Sequence, residues 1–329
     1  MPANLTPQYQ KAEQQYRRAQ TTEERIKCLE QMLQLIPKHK GTEKLQAELK
    51  SRLKEARAEL QQERSAPKRG RSYRFPRQGA GQVVLIGAPN AGKSRILRDL
   101  SNAEPKVADF PFSTHEPMPG MMPYKDVAVQ LIDTPPITET HIEPYIIGMV
   151  RAADTVLLCM NGASDDAPDE TLAVVEQLHK RKTILAADTA FDEDDFSTLR
   201  VRALLVVTRA SDPGWQDRVE YFFEAGGPRL NVVPVELDDE PSREKLRQAI
   251  YDSLDVIRVY TKKPGKPPDY DAPFTIPRDG TVQDLAEEIH RDIAERLKYA
   301  RVWGRHVHDG QSVGREHVLH DGDLVELHV

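Results

Sequence analysis

Residues 87–94 read Gly87, Ala88, Pro89, Asn90, Ala91, Gly92, Lys93 and Ser94, which fits the pattern G-x-x-x-x-G-K-[ST]. Glycines at this spacing let consecutive backbone N–H groups curl around phosphate oxygens. Lys93 would then reach the terminal phosphates of a nucleotide, and the Ser94 hydroxyl would ligate Mg²⁺. The context suits that chemistry, because the apolar run VVLIG (83–87) precedes the loop and Ile96, Leu97 and Leu100 follow at helical spacing. A helix starting there would add the partial positive charge of its N-terminus. Downstream, Asp133 ends a second apolar run, VAVQLID (127–133), where a carboxylate can sit across a metal from the phosphate loop. Thr114 lies between the two in DFPFSTHEPMPGMM (109–122), read as a flexible loop that brings its hydroxyl to the metal and the γ-phosphate. Ser94, Thr114 and Asp133 are therefore the candidate metal ligands.

The elements that must hold these residues follow from the hydropathy pattern. From about residue 78, strand-like runs alternate with helical ones: VVLIG, VAVQLID, TVLLCM (155–160), ALLVVT (203–208) and NVVPVEL (231–237). That alternation predicts an α/β domain over 78–254, a mostly parallel sheet flanked by helices. Residues 1–77 precede it. Three helices are expected there, opening near Thr6, Thr22 and Thr42, each with one narrow apolar stripe. RSAPKRGRSYRFPR (64–77) lacks periodicity and reads as a basic linker. After Leu254 the pattern changes. VIRVYT (256–261) is strand-like, 264–273 is turn-rich, Thr281 opens one helix faced by Val282, Leu285, Ile289, Ile293 and Leu297, and short strands follow at 300–303 and 324–329. Residues 255–329 thus form a compact α+β module, and no sequence repeat is present.

The net charge of −6 would by itself argue against a nucleic-acid partner, but it is unevenly spread. Residues 1–77 hold 18 Lys and Arg against 9 Asp and Glu, a net of +9, which leaves −15 for the other 252 residues. The basic segment, with Lys38, Lys40, Lys44, Lys50, Lys68, Arg69, Arg71, Arg74 and Arg77, could neutralise several phosphates, and Tyr73 and Phe75 could stack on exposed bases. Two cysteines, Cys28 and Cys159, give neither a disulfide framework nor a Cys-based zinc site. No apolar run approaches the roughly 20 residues that span a bilayer, so a cytoplasmic, membrane-free protein is expected. Six of the ten histidines lie between 290 and 328, without the Cys or acidic partners that complete a metal site.

Three motifs in series, GxPNxGKS, FPFSTxEPxPG and DTP, make residues 80–139 resemble the G domain of the Obg superfamily, in particular the developmentally regulated GTP-binding proteins. LDVIRVYTKKPG (254–265), DGTVQDLAEEIHRDI (279–293), ARVWG (300–304) and GQSVGREHVLHDGDLVELH (310–328) resemble the TGS domain that ends that family, a small β-grasp-like module. The resemblance implies GTP and Mg²⁺ as ligands, and docking on ribosomes or RNA through the basic N-terminal arm and the TGS domain.

The sequence departs from that family in three places. The D-x-x-G motif reads Asp133-Thr134-Pro135-Pro136, and a proline has no N–H to offer a γ-phosphate. Ile137 follows where a water-orienting glutamine serves in Ras-like proteins, a hydrophobic substitution that the Obg superfamily shares, so slow hydrolysis is expected. The guanine-reading N-K-x-D is replaced by Thr208-Arg209-Ala210-Ser211-Asp212, with the carboxylate one position late, and the later S-A-K/L loop by Val235-Glu236-Leu237. Thr208, Arg209 and Asp212 remain the candidate base contacts. Three readings follow: a GTP-regulated factor for the ribosome or RNA, an RNA- or ribosome-binding adaptor with a degenerate G domain, and a TGS-containing ATPase of relaxed base specificity.

Overall fold

The computed structural model describes residues 6–19, 22–37, 42–65, 73, 75–101, 116–191 and 198–329. Three helices open the chain: α1 (Pro7–Arg18), α2 (Thr22–Leu35) and α3 (Glu43–Ser65). Thr6 caps α1 by accepting from the Tyr9 N–H at 3.2 Å, with Pro7 at the first helical position where its missing donor costs nothing. Their narrow stripes meet one another. Tyr9, Leu29, Met32, Ile36, Leu45 and Leu49 form a small separate core.

The next sheet is built from β1 (Gln82–Gly87), β2 (Met118–Tyr124), β3 (Val127–Asp133), β4 (Thr155–Asn161), β5 (Thr183–Ala186), β6 (Ala190–Phe191), β7 (Leu199–Thr208) and β8 (Asn231–Val235). Interleaved are α4 (Lys93–Leu100), α5 (Pro144–Ala152), α6 (Ala167–His179), α7 (Trp215–Glu224) and α8 (Glu240–Ser253). The order is β2-β3-β1-β4-β7-β5, with β6 and β8 also on β7; only β2 and β6 run antiparallel to their partners. Helices cover both faces, α5, α6 and α7 over one apolar cluster and α4 and α8 over another. This layering explains why the strand runs are continuously apolar rather than alternating.

β2 is a correction to the sequence reading, which assigned 109–122 to a flexible loop. Met118 to Tyr124 pairs with β3, from Met118 opposite Asp133 to Tyr124 opposite Val127. Gly120, Met122 and Tyr124 are its buried positions, a period of two masked by Pro119 and Pro123. Proline is tolerated there because β2 is an edge strand. The two prolines hid the strand without preventing it.

The last sheet, in the order β10-β9-β13-β11-β12, comprises β9 (Val256–Lys262), β10 (Asp269–Pro277), β11 (Tyr299–Trp303), β12 (Gln311–Val313) and β13 (Asp323–His328), with β9 and β13 parallel. β10 begins inside the segment read as turns. The single helix expected from Thr281 is two, α9 (Val282–Ile289) and α10 (Arg291–Arg296), broken at His290, whose φ of −171° is extended. The His290 ring Nδ1 accepts from the Asp292 N–H at 3.1 Å and caps α10, and this local bond competes with helix continuation. Thr281 and Asp284 form the capping box that starts α9.

Side chains join the three regions. The Arg258 guanidinium on β9 binds Asp126, in the β2–β3 turn, at 2.7 Å and Asp321 at 2.7 Å, and the Tyr260 hydroxyl donates to Asp126. Lys11 of α1 reaches Asp284 and Glu287 of α9 at 2.9 and 2.7 Å. Tyr73 and Phe75, read as available for base stacking, instead pack against the core over α5, with Tyr73 edge-on to Tyr145 at 4.9 Å. Arg77 is likewise occupied by the Asp154 carboxylate and the Ala152 carbonyl. Lys38, Lys40, Lys68, Arg69, Arg71 and Arg74 lie outside the described residues. No helix among the described residues is long and apolar enough to cross a membrane.

Candidate phosphate-binding site

β1 ends at Gly87 and α4 begins at Lys93, so the glycine-rich stretch forms the turn between a buried strand and a helix N-terminus. Asn90 and Gly92 take left-handed backbone angles, φ 59° and 91°. At Gly92 a side chain is excluded twice over, by that angle and because a Cβ would come within 2.8 Å of the Thr208 methyl. Gly92 also leaves α4 without a side-chain cap. Lys93 is only 6% exposed, and its Nζ donates to the Gly87 and Ala88 carbonyls at 3.0 and 2.9 Å. Burial pushes the ammonium pKa down, partly offset by Cys159 and Asp133.

Ser94 and Asp133 meet directly. The Ser94 hydroxyl donates to Asp133 Oδ2 at 2.6 Å, and Asp133 Oδ1 is buried with no hydrogen-bond partner among the described residues. Burial raises the carboxyl pKa, opposed by the Ser94 hydrogen bond and by Lys93. A hydroxyl and an orphaned carboxylate oxygen are hard donors, so the two residues fit a Mg²⁺ ion. Thr114, the third candidate ligand, lies outside the described residues. The sequence reading missed two supports: Thr134 Oγ1 donates to the Leu85 carbonyl at 2.7 Å, and the Ile137 N–H to the Gly87 carbonyl at 3.1 Å. Ile137 is fully buried and Pro136 exposed.

The 208–212 segment divides. Thr208 is buried under the loop, its hydroxyl within 3.2 Å of the Ala91 carbonyl and 3.3 Å of the Met160 carbonyl. Arg209, at φ 54°, donates from Nη1 to the Asn90 carbonyl at 3.2 Å. Both therefore buttress the phosphate loop. Asp212 Oδ1 instead accepts from the Gly214 N–H at 2.9 Å and from Arg218 Nη1 at 2.7 Å, and Arg218 holds its carboxyl below the usual range. Arg218, on α7, was not singled out from the sequence; its spacing of six from Asp212 across the Pro213-Gly214 turn carries no simple signal. The Ser211 hydroxyl donates to Glu236 at 2.8 Å, joining this loop to the one after β8.

Residues 82–189 match the family model described as 50S ribosome-binding GTPase, and residues 257–329 match the TGS domain. An uncharacterized GTP-binding protein of Methanocaldococcus jannaschii is 29% identical across 93% of this chain and 92% of its own. Developmentally-regulated G-protein 1 of Arabidopsis thaliana is 26% identical across 92% of this chain and 90% of its own. The chain thus resembles the Obg superfamily, with a match to the TGS domain at its C-terminal end. The fold is shared at low identity with the Schizosaccharomyces pombe YchF GTPase, which covers 79% of this chain and superposes at a TM-score of 0.52 with 12% identity. The phosphate-loop motif and the DTP segment that carry this resemblance lie at the positions just described.

Proposed function

We propose that this protein binds GTP with Mg²⁺ at Gly87–Ser94 and Asp133, hydrolyses it slowly, and uses the bound nucleotide to regulate association with the ribosome or RNA in the cytoplasm. The observation that carries the reading is the pairing of Ser94 with Asp133 beneath a glycine-rich turn, with one carboxylate oxygen unpartnered. On this reading Lys93 leaves the Gly87 and Ala88 carbonyls for phosphate oxygens, the N–H groups of the loop and the first turn of α4 hold the β-phosphate, and Thr114 joins Ser94 and Asp133 at the metal. Mg²⁺, when bound, neutralises charge on the phosphate oxygens. Slow hydrolysis is supported by Ile137, whose apolar, buried side chain cannot orient a water, and by Pro136, which has no N–H. Ribosome association is supported by the family description matched at 82–189 and by the net positive charge of residues 1–77. The boundaries 1–77, 78–254 and 255–329 are part of this proposal.

Competition of labelled GTP by GDP, ATP and ADP, with Mg²⁺ varied, on wild type and Lys93→Ala tests it. Loss of one charge-assisted contact should weaken GTP by roughly 10- to 150-fold. Equal affinity of the variant would sink the reading. A second reading, binding of either purine, is favoured by one specific observation, the engagement of Asp212 by Arg218. In that case ATP competes as well as GTP.

A further inference from the structure

A nucleotide whose phosphates sit on the glycine-rich turn must extend its base past the carboxyl ends of the neighbouring strands, where ligands of such sheets lie. β7 and β8 end side by side, Thr208 opposite Val235, so residues 209–212 and 236–239 leave the sheet together. The Ala210 N–H donates to the Val235 carbonyl at 3.4 Å and ties the two loops to each other. Thr208 and Arg209 hydrogen-bond the Ala91 and Asn90 carbonyls, so this pair of loops begins at the phosphate turn itself.

Four carboxylates stand on these loops, and three are committed elsewhere. Asp212 accepts from Arg218 and the Gly214 N–H, Asp238 accepts from Arg95, and Asp239 caps α8 by accepting from the Ser242 N–H at 3.0 Å. Glu236 is the fourth. It is half-buried, and among the described residues no cation pairs with it; its side chain accepts from the Ser211 hydroxyl alone, at Oε2 and 2.8 Å. Its backbone is pinned at both ends, the N–H donating to Ser242 Oγ at 2.9 Å and the carbonyl accepting from the Asp239 N–H at 3.1 Å. Ser211 stands in the register where N-K-x-D would carry its carboxylate, so that hydroxyl's partner brings a carboxylate to the same place from the adjoining loop.

A carboxylate offers two acceptor oxygens and no donor. Guanine presents N1–H and the N2 amino group side by side, two donors that one carboxylate accepts together, whereas adenine turns a bare ring nitrogen to it and leaves it unmet. We infer that Glu236 reads the base of the bound nucleotide and selects guanine, with the Ser211 hydroxyl holding its carboxylate in place. The extra methylene of Glu over Asp supplies reach from the second loop. The inference rests on the proposed nucleotide site and narrows it to one base.

Calorimetric titration of the full chain with GTP, ATP and xanthosine triphosphate, each with Mg²⁺, tests it. Wild type should bind GTP most tightly. Glu236→Gln should weaken GTP by about 5- to 150-fold, the range for one lost bidentate contact to a base, and should strengthen xanthosine triphosphate. The new amide still accepts from N1–H and now donates to the xanthine C2 carbonyl, which the carboxylate repels; a gain of binding does not arise from misfolding. Ser211→Asp combined with Glu236→Ser exchanges the two groups between the loops and should return the preference to GTP. If Glu236→Gln binds neither nucleotide, this exchanged chain decides: guanine preference there supports Glu236 as the reader, and its absence overturns it. Equal affinity of wild type for GTP and ATP, an unaltered GTP preference in Glu236→Gln, or a switch to xanthine produced by Asp212→Asn instead overturns the inference and leaves the phosphate site standing. A wild-type chain that binds none of the three removes the nucleotide reading itself, and the base reader with it.

Discussion

Asp133 is held in an apolar site that disfavours its charge, and that has a measurable consequence without nucleotide. Its folded-state pKa lies above the ordinary aspartate value of 3.8, so between the two the native state binds more protons than the unfolded chain. Stability from this group is therefore lost as pH rises through that window. Asp133→Asn keeps an acceptor for Ser94 and removes the buried charge. It should raise the nucleotide-free melting temperature near neutral pH, with the gain vanishing below the ordinary carboxylate range, while weakening Mg²⁺-dependent nucleotide binding. Melting scans across pH, alongside calorimetric titration of Mg²⁺-nucleotide, check both halves. A variant that melts lower than wild type at pH 7 would contradict this account. At this scale the sequence was legible where chemistry fixes spacing: Lys93, Ser94 and Asp133 come together as the motif requires. It was opaque at Asp212, because the partner that claims this carboxylate, Arg218, is brought to it by a turn and a helix start that no motif records.

Among elements, the phosphate loop leans on β7. Gly92→Ala forces a Cβ against the Thr208 methyl at a backbone angle alanine resists, and should cost about 1–3 kcal/mol. Thr208→Ser removes that methyl, so the double variant should recover part of the loss, leaving the backbone strain. Denaturant unfolding of the four chains of the cycle measures the coupling, and strict additivity would show that the contact does not matter. In the terminal module, His290→Ala removes the cap on α10 and should cost about 1 kcal/mol, with His290→Asn restoring it, read by the same method. Strands with long apolar runs, β1, β3, β4 and β7, are legible in the sequence because burial on both faces leaves little choice of residue. β2 and the break at His290 were not. Each depends on something periodicity ignores, an edge position that forgives proline and a side chain that competes with the helix backbone.

Across the whole molecule, Tyr73, Phe75 and Arg77, at the end of the basic segment, pack onto the nucleotide domain. Deleting residues 1–77 would therefore uncover apolar surface, and charge substitution is the cleaner experiment. Lys44 and Lys50 are exposed on α3. Changing both to Glu should weaken ribosome or RNA binding and reduce the slope of log K against log salt by about 0.7–0.9 for each lysine that meets a phosphate. An unchanged slope would remove α3 from the interface. The division of charge along the chain was legible by counting. That Arg258 and Tyr260 both grip Asp126 was not, because residues far apart in sequence become neighbours only through the packing of one domain on another.

The position of β13 bears on how the molecule is made. It lies inside its sheet, parallel to β9 and antiparallel to β11, so residues 263–322 must emerge from a ribosome before β9 can find its inner neighbour. Until then β9 and β11 present unpaired ladder edges, the kind of surface on which nascent chains associate wrongly. Folding of the last module is thus deferred until synthesis of residues 323–328. A stall before Asp323 would leave a finished nucleotide domain carrying an unfinished and adhesive tail.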